Sequence, residues 1–194
     1  MNHNTKLTGR VVYPNDPEYP QARMNWNPFT NTFPIVFVFA QNTEDVANAV
    51  KWARENDVPL RMRSGRHALA KDFSQTDGGI VIDTSNMRNF VLDKANGIAE
   101  VQAGIRVGQL VRALAKEGVL APFGDSSTVG IGGISTGGGI TAIQRTAGLI
   151  SDNILAATIV DAYGEILHVN KNENPDLLWA LRGGGGGNFG IITS

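Results

Sequence analysis

The glycines of this chain are gathered rather than scattered. Of 194 residues, 23 are glycine, against a usual share of roughly 7%. They concentrate in "GDSSTVGIGGISTGGG" (Gly124–Gly139) and "RGGGGGNFG" (Arg182–Gly190). Both runs lie between well-patterned strand and helix signals, which predicts tight backbone loops inside an ordered domain rather than a linker. Glycine lets backbone N–H groups approach a ligand with no Cβ in the way, and successive N–H groups form an anion-binding concavity. Ser126, Ser127, Thr128, Ser135 and Thr136 add hydroxyl donors. Such a loop suits a phosphate or pyrophosphate, although both runs can also be read as structural turns alone.

The segments around the glycine runs alternate strand and helix patterns. "PIVFVFA" (Pro34–Ala40) is a continuous apolar run of strand length. A helix follows, capped by Thr43, with Glu44 and Asp45 in its first turn and Val46, Ala49, Val50 and Ala53 on one face. "PLRMR" and "GGIVIDTS" read as further strands, and Asn96-Gly97 predicts a hairpin between "NFVLD" and "IAEVQA". A second helix aligns Val107, Leu110, Val111 and Leu114 and stops at Gly118. Two strands flank an Ala-Tyr-Gly turn, and Asn174-Pro175-Asp176 opens a short helix in which Trp179 is expected to pack into the core. "IITS" reads as a strand with little sheet to join, so the chain is expected to be the N-terminal part of a longer protein. Residues 1–33 are expected to be irregular, with one short strand near Val11–Tyr13.

Composition removes several function classes. A net charge of −1 gives no general footprint for nucleic acid or a membrane surface. No cysteine is present, which excludes disulfides, thiolate zinc sites and cysteine nucleophiles. His3, His67 and His168 show no metal-ligand spacing. The N-terminal residues lack the apolar centre of a signal peptide, and no run of about 18 apolar residues occurs. A cytoplasmic location is the resulting expectation. There is no GxxxxGK[ST] motif. Gly130, Gly132 and Gly133 match a dinucleotide fingerprint only loosely and far from the first strand–helix–strand unit, which disfavours a nicotinamide-binding Rossmann enzyme.

"RSGRH" (Arg63–His67) packs two arginines and a histidine into one loop after a predicted strand. Ligands in α/β proteins gather at such strand ends. Read alone, His67 fits a solvent-facing loop residue equally well, and both arginines fit solvated surface charges.

Four segments together resemble the flavin-binding part of the vanillyl-alcohol oxidase superfamily, specifically its berberine-bridge-enzyme-like, PCMH-type branch. They are "RSGRH" before "GGIVIDTS", "GDSSTVGIGG" with "GGG", "LISDNILAATIVDAYGEI" and "DLLWALRGGGGGNFGIITS". The resemblance runs from about Pro34 to Ser194. It implies an α+β, two-lobed FAD-binding domain, truncated before the substrate-binding domain, with lobes at 34–103 and 104–194. It implies that Arg63, Ser64, Gly65, Arg66 and Ala68 wrap the pyrophosphate. His67 would then be the covalent anchor, bonding to the 8α-methyl carbon of FAD and raising its reduction potential. Asp125, Ser126, Thr128, Val129, Gly130, Gly132, Gly133, Ser135, Thr136 and Gly139 would form the second cradle. Asp152, Asn153 and Ile154 would lie on the adenosine side, where a loop cap is an equally good account of Asp152. Asn188 and Phe189 would shape a turn under the flavin edge.

Two departures from the family pattern carry information. The family places Gly-Gly-His where this chain has Gly65-Arg66-His67. Relatives with doubly attached FAD carry a cysteine where Ser126 stands, so only one covalent bond, at His67, is available here. Val129 occupies an oxygen-access position and favours an oxidase. The resemblance thus implies an FAD-dependent oxidase, with a small alcohol, sugar or amine as substrate and oxygen as acceptor. No catalytic base is identifiable in these residues. A non-catalytic FAD-binding or structural module is the competing expectation.

Overall fold

The computed structural model describes residues 5–29, 31–70 and 73–194; His3 lies outside them. A four-stranded sheet orders β1 (Arg10–Val12), β2 (Val36–Phe39), β4 (Ile80–Asp83) and β3 (Leu60–Arg63). β2 and β3 run parallel to the central β4, and β1 is antiparallel at the edge. β2 and β4 are buried at every position, as expected of strands covered on both faces. The lead-in holds more structure than its prolines suggest. Besides β1 it forms the short helix α1 (Tyr19–Arg23), whose Tyr19 and Ala22 pack under Phe37, Phe39 and Val81.

Helix α2 (Thr43–Glu55) crosses from β2 to β3. Its cap is Asn42 rather than Thr43: the Asn42 side chain accepts a hydrogen bond from the Asp45 N–H at 2.9 Å. Thr43 is already helical, and its hydroxyl lies 3.0 Å from that of Thr193. Val46, Ala49, Val50 and Ala53 are buried as the periodicity predicts.

After β4 the chain makes the hairpin β5 (Phe90–Asp93) and β6 (Ile98–Val101), with Gly97 at φ +66° in its turn. It then enters α3 (Val107–Lys116). Val107, Leu110 and Leu114 are buried, but Val111 is 38% exposed, so the apolar face is narrower than the sequence suggests. Gly118, at φ +69°, follows the helix end.

The first glycine run is not one continuous loop, because α4 (Ile131–Thr136) forms within it. The short α5 (Gln144–Ala147) and a 3-10 turn at Ser151–Asn153 lead into β7 (Ala156–Val160) and β8 (Ile166–Asn170). Asp161 organises the turn between these strands, its carboxylate accepting from the N–H groups of Tyr163 and Glu165 at 2.8 Å each. Helix α6 (Pro175–Leu181) leaves Trp179 79% exposed, against the expectation of core packing. Leu178 and Leu181 are buried instead. β9 (Ile191–Ile192) does find a sheet, pairing antiparallel with β7.

α2 lies between the two larger sheets. Alternation along β7 sends Ile159 into a cluster with Ala103, Val169, Leu178, Leu181 and Ile192. Val160 and Ile191 point the other way, into the core that α2 shares with β2 and β4. Among the described residues, no helix is long and apolar enough to cross a membrane.

The exposure contrast on α3 gives a direct check. Leu110→Ala should lower the unfolding free energy by about 2–5 kcal/mol in urea titrations. Val111→Ala should change it by less than about 0.5 kcal/mol.

Candidate functional site

The site begins where β3 ends. Arg63 and Asp83 are register partners at the C-terminal ends of β3 and β4. The Arg63 Nε donates to Asp83 Oδ2 at 2.7 Å, with both side chains almost fully buried. Its Nη2 donates to the Ala22 carbonyl at 2.6 Å, and the guanidinium lies over the Phe37 ring. The Arg63 side chain therefore points into the protein, and its Nη1 finds no hydrogen-bond partner among the described residues. Burial lowers the Arg63 pKa to about 10 against the pull of Asp83, so it stays charged at neutral pH. Burial alone would raise the Asp83 pKa, but Arg63, Arg66 and the Ser85 hydrogen bonds outweigh it and hold the carboxyl below its ordinary value.

Arg66 also answers to Asp83, with Nε 3.2 Å from Oδ2. Its backbone is left-handed, φ +63°, a conformation that costs an ordinary residue about 1 kcal/mol or more. The ion pair offsets this cost, as does the Arg66 carbonyl accepting from the Trp26 N–H at 2.9 Å. An arginine can therefore stand where the family pattern has glycine.

Two glycines bring the predicted loops together. A Cβ on Gly65 would lie 2.1 Å from the Gly130 nitrogen, and one on Gly130 would lie 2.0 Å from Ser64 Oγ. Backbone meets backbone here. Ser64 Oγ donates to the Ala103 carbonyl at 2.6 Å and ties the loop to the second segment. Among the described residues, none of the N–H groups from Ser64 to Ala68 donates to a protein acceptor. Successive backbone N–H groups of this kind can hold an anion.

The second segment contributes less than the sequence suggests. The N–H groups of Ile131 and Gly132 are already used by the carbonyls of Ile105 and Ala103. Ser135 and Thr136 are buried, and their hydroxyls donate back to carbonyls of their own helix. Asp125, Ser126 and Thr128 are exposed, and Val129 is half-buried behind Gly65. A side chain added at Gly133 would meet nothing within 4 Å, so the backbone there faces open space. Gly139, at φ +74°, packs its backbone on Ile150. Asp152 accepts from the Leu149 N–H at 2.9 Å, which is the loop-cap geometry. Asn153 donates to the carbonyls of Ala147 and Leu149, and the Ile154 carbonyl accepts from Arg182. Asn188 Nδ2 donates to the Gly184 carbonyl, against which Phe189 also packs.

His67 sits where the two segments meet. Its Nε2 lies 2.8 Å from Thr128 Oγ1, and its ring stacks on Trp26 with centroids 5.6 Å apart and planes at 23°. Burial, then the nearby Arg106 charge, lowers its pKa below 6.5. The imidazole is therefore neutral at neutral pH, the form a nucleophile requires. Sequence reasoning missed Trp26, Arg106 and Asp83. It also missed a cavity of about 980 Å³ lined by Leu60, Met62, Val160, Tyr163, Asn188 and Ile191, among others.

The residues from 34 to 170 match the family described as FAD binding domain. The FAD-linked oxidoreductase YvdP of Bacillus subtilis is 61% identical over 190 residues, covering 98% of this chain and 42% of its own length. The crystal structure of 6-hydroxy-D-nicotine oxidase from Arthrobacter nicotinovorans superposes with a TM-score of 0.94 at 34% identity, over 100% of this chain and 42% of that one. A berberine-bridge-enzyme-like protein of Physcomitrella patens gives 0.92 at 37% identity, over 96% and 41%. Glucooligosaccharide oxidase from Acremonium strictum, described as carrying a 6-S-cysteinyl, 8α-N1-histidyl FAD, gives 0.88 at 31% identity, over 95% and 39%. The chain belongs to the FAD-binding domain family, in the fold of the berberine-bridge-enzyme-like oxidases, and it spans about two fifths of the length of these relatives.

Asp83→Asn leaves Arg63 charged and buried without a counter-ion, and should cost about 3–5 kcal/mol of stability by chemical denaturation. The His67 resonance should titrate below 6.5 by NMR, and Arg106→Gln should raise its midpoint. With its folded pKa lowered, His67 resists protonation in the native state. Its contribution thus erodes stability as pH falls from 6.5 toward the folded pKa and is neutral above 6.5.

Proposed function

We propose that this chain is the cofactor-holding part of an FAD-dependent oxidase and carries its flavin on a single covalent bond to His67. The observation that carries this reading is the meeting of the two loops, with a neutral imidazole held beside a row of unsatisfied N–H groups. The residues fit the cofactor. The N–H groups from Ser64 to Ala68 would take the pyrophosphate, the open backbone at Gly133 leaves room for it, and no cysteine competes for a second attachment.

When bound, FAD supplies a two-electron acceptor that takes a hydride from an activated C–H bond and passes the electrons to oxygen. The remaining tasks belong to the chain. Asp83 and Arg63 fix the loop, Gly65 and Gly130 set its distance from the second segment, and Val129 leaves a modest side chain beside them. A small alcohol, sugar or amine is the proposed substrate class. Named relatives of the same fold act on 6-hydroxynicotine and on oligosaccharides.

Protein purified from cells should be yellow, and the colour should stay with the polypeptide through acid precipitation. His67→Ala should release its flavin under the same treatment. Release from the unaltered protein would overturn the covalent assignment.

A further inference from the structure

Where the family pattern has glycine, this chain has Arg66, and its backbone there is left-handed at φ +63°. Glycine would take that conformation without strain. The reason for an arginine lies in its side chain.

The Arg66 guanidinium is fixed from several sides. Its Nε and Nη2 each lie 3.2 Å from Asp83 Oδ2, and its Nη1 donates to the Gln21 carbonyl at 3.3 Å. Its Cζ lies 5.6 Å from the centre of the Phe39 ring. A guanidinium can only donate, and carbonyl and carboxylate oxygens can only accept, so each polar contact has one direction. The charge is thereby clamped between α1, which supplies the Gln21 carbonyl, and the end of β4.

The charges at the foot of the loop do not cancel. Arg63 and Arg66 bring two positive charges against the single negative charge of Asp83, which leaves one positive charge over. Among the described residues, neither arginine pairs with a second carboxylate. Arg10 shares the Phe39 ring, but it is paired with Glu18 and adds no net charge. With glycine at position 66, Arg63 and Asp83 would neutralise each other. Arg66 also keeps 23% of its side chain exposed, whereas those of Arg63 and Asp83 are buried, so the surplus charge faces outward. The same loop carries the N–H groups from Ser64 to Ala68, which donate to no protein acceptor among the described residues. A fixed cation and free N–H groups favour the same ligand chemistry, a concentrated negative charge such as a diphosphate.

Resting on the reading of the Ser64–Ala68 N–H groups as the seat of the FAD pyrophosphate, and not on any bond to His67, we propose that Arg66 sets the affinity of this chain for FAD through its charge. Asp83 and Gln21 hold the guanidinium in place, and the guanidinium turns a neutral ion pair into a cationic cluster at the foot of the loop.

The test uses the full chain carrying His67→Ala, from which flavin can be stripped, so that only reversible binding is read. FAD is titrated into this parent and into three variants of it, at low and at high salt. Arg66→Gln removes the charge and keeps a long donor side chain. Arg66→Gly removes the charge and relieves the backbone. Both should bind FAD at least about fivefold more weakly at low salt, and the difference should shrink as salt rises. Arg66→Lys keeps the charge and should recover most of the affinity, with the salt dependence of the parent. A merely structural part for Arg66 would not sort the variants by charge.

Parental affinity in Arg66→Gly, or binding by Arg66→Lys as weak as that of Arg66→Gln, would overturn this proposal alone. Hydrogen exchange checks the reading beneath it: FAD should slow exchange of the Ser64–Ala68 amides in the parent. Unprotected amides, or no binding by the parent, would overturn the pyrophosphate reading and this proposal with it.

Discussion

The site depends on one carboxylate. Asp83 ends the central strand of the first sheet, with its side chain fully buried. A lone charge there would be intolerable, so it draws two arginines onto itself. One of them, Arg63, ends the neighbouring strand; the other, Arg66, sits at the crest of the loop. The loop is thereby tied to the strand ends beneath it. Charge usually binds a cofactor by direct contact. Here the buried charges of Arg63 and Asp83 act on the protein itself.

The second segment works by the opposite means. Among the described residues, it brings no buried charge to the loop, only close approach. Gly65, Gly130 and Gly132 let backbones sit where any Cβ would collide. The carbonyls of Ala103, Ile105 and the 127–129 stretch sew the segment to α3. Electrostatics fixes one half of the cleft and steric permission fixes the other. His67 stands on the line between them, reached by Thr128 from one side and Trp26 from the other.

How far the sequence revealed this follows from where each signal resides. The strands of the first sheet and the inward face of α2 were legible because burial on both sides leaves an apolar record. The glycine runs marked where two backbones meet with no room for a side chain. That Ser135 and Thr136 turn their hydroxyls back onto their own helix was not legible, because it depends on α4 forming inside the glycine run. Thr43 lost the cap to Asn42, its immediate neighbour and a cap former of comparable strength. Asp83 had a faint signal, an acid closing the run "IVID". Trp26 had none: nothing in a polar, proline-dotted lead-in says that it will stack on a residue 41 positions later.

The placement of α2 between two sheets bears on how the chain comes into being. One of its flanks is covered early, by β2 and β4. The other waits for Val160 and Ile191, and Thr43 meets Thr193 across 150 positions of sequence. On a ribosome releasing about 5–20 residues each second, that flank stays bare for many seconds while Val50 and Ala53 face water. The first half of the chain thus carries bare apolar surface until the second half emerges. Selection on α2 must answer to that interval as well as to the finished fold.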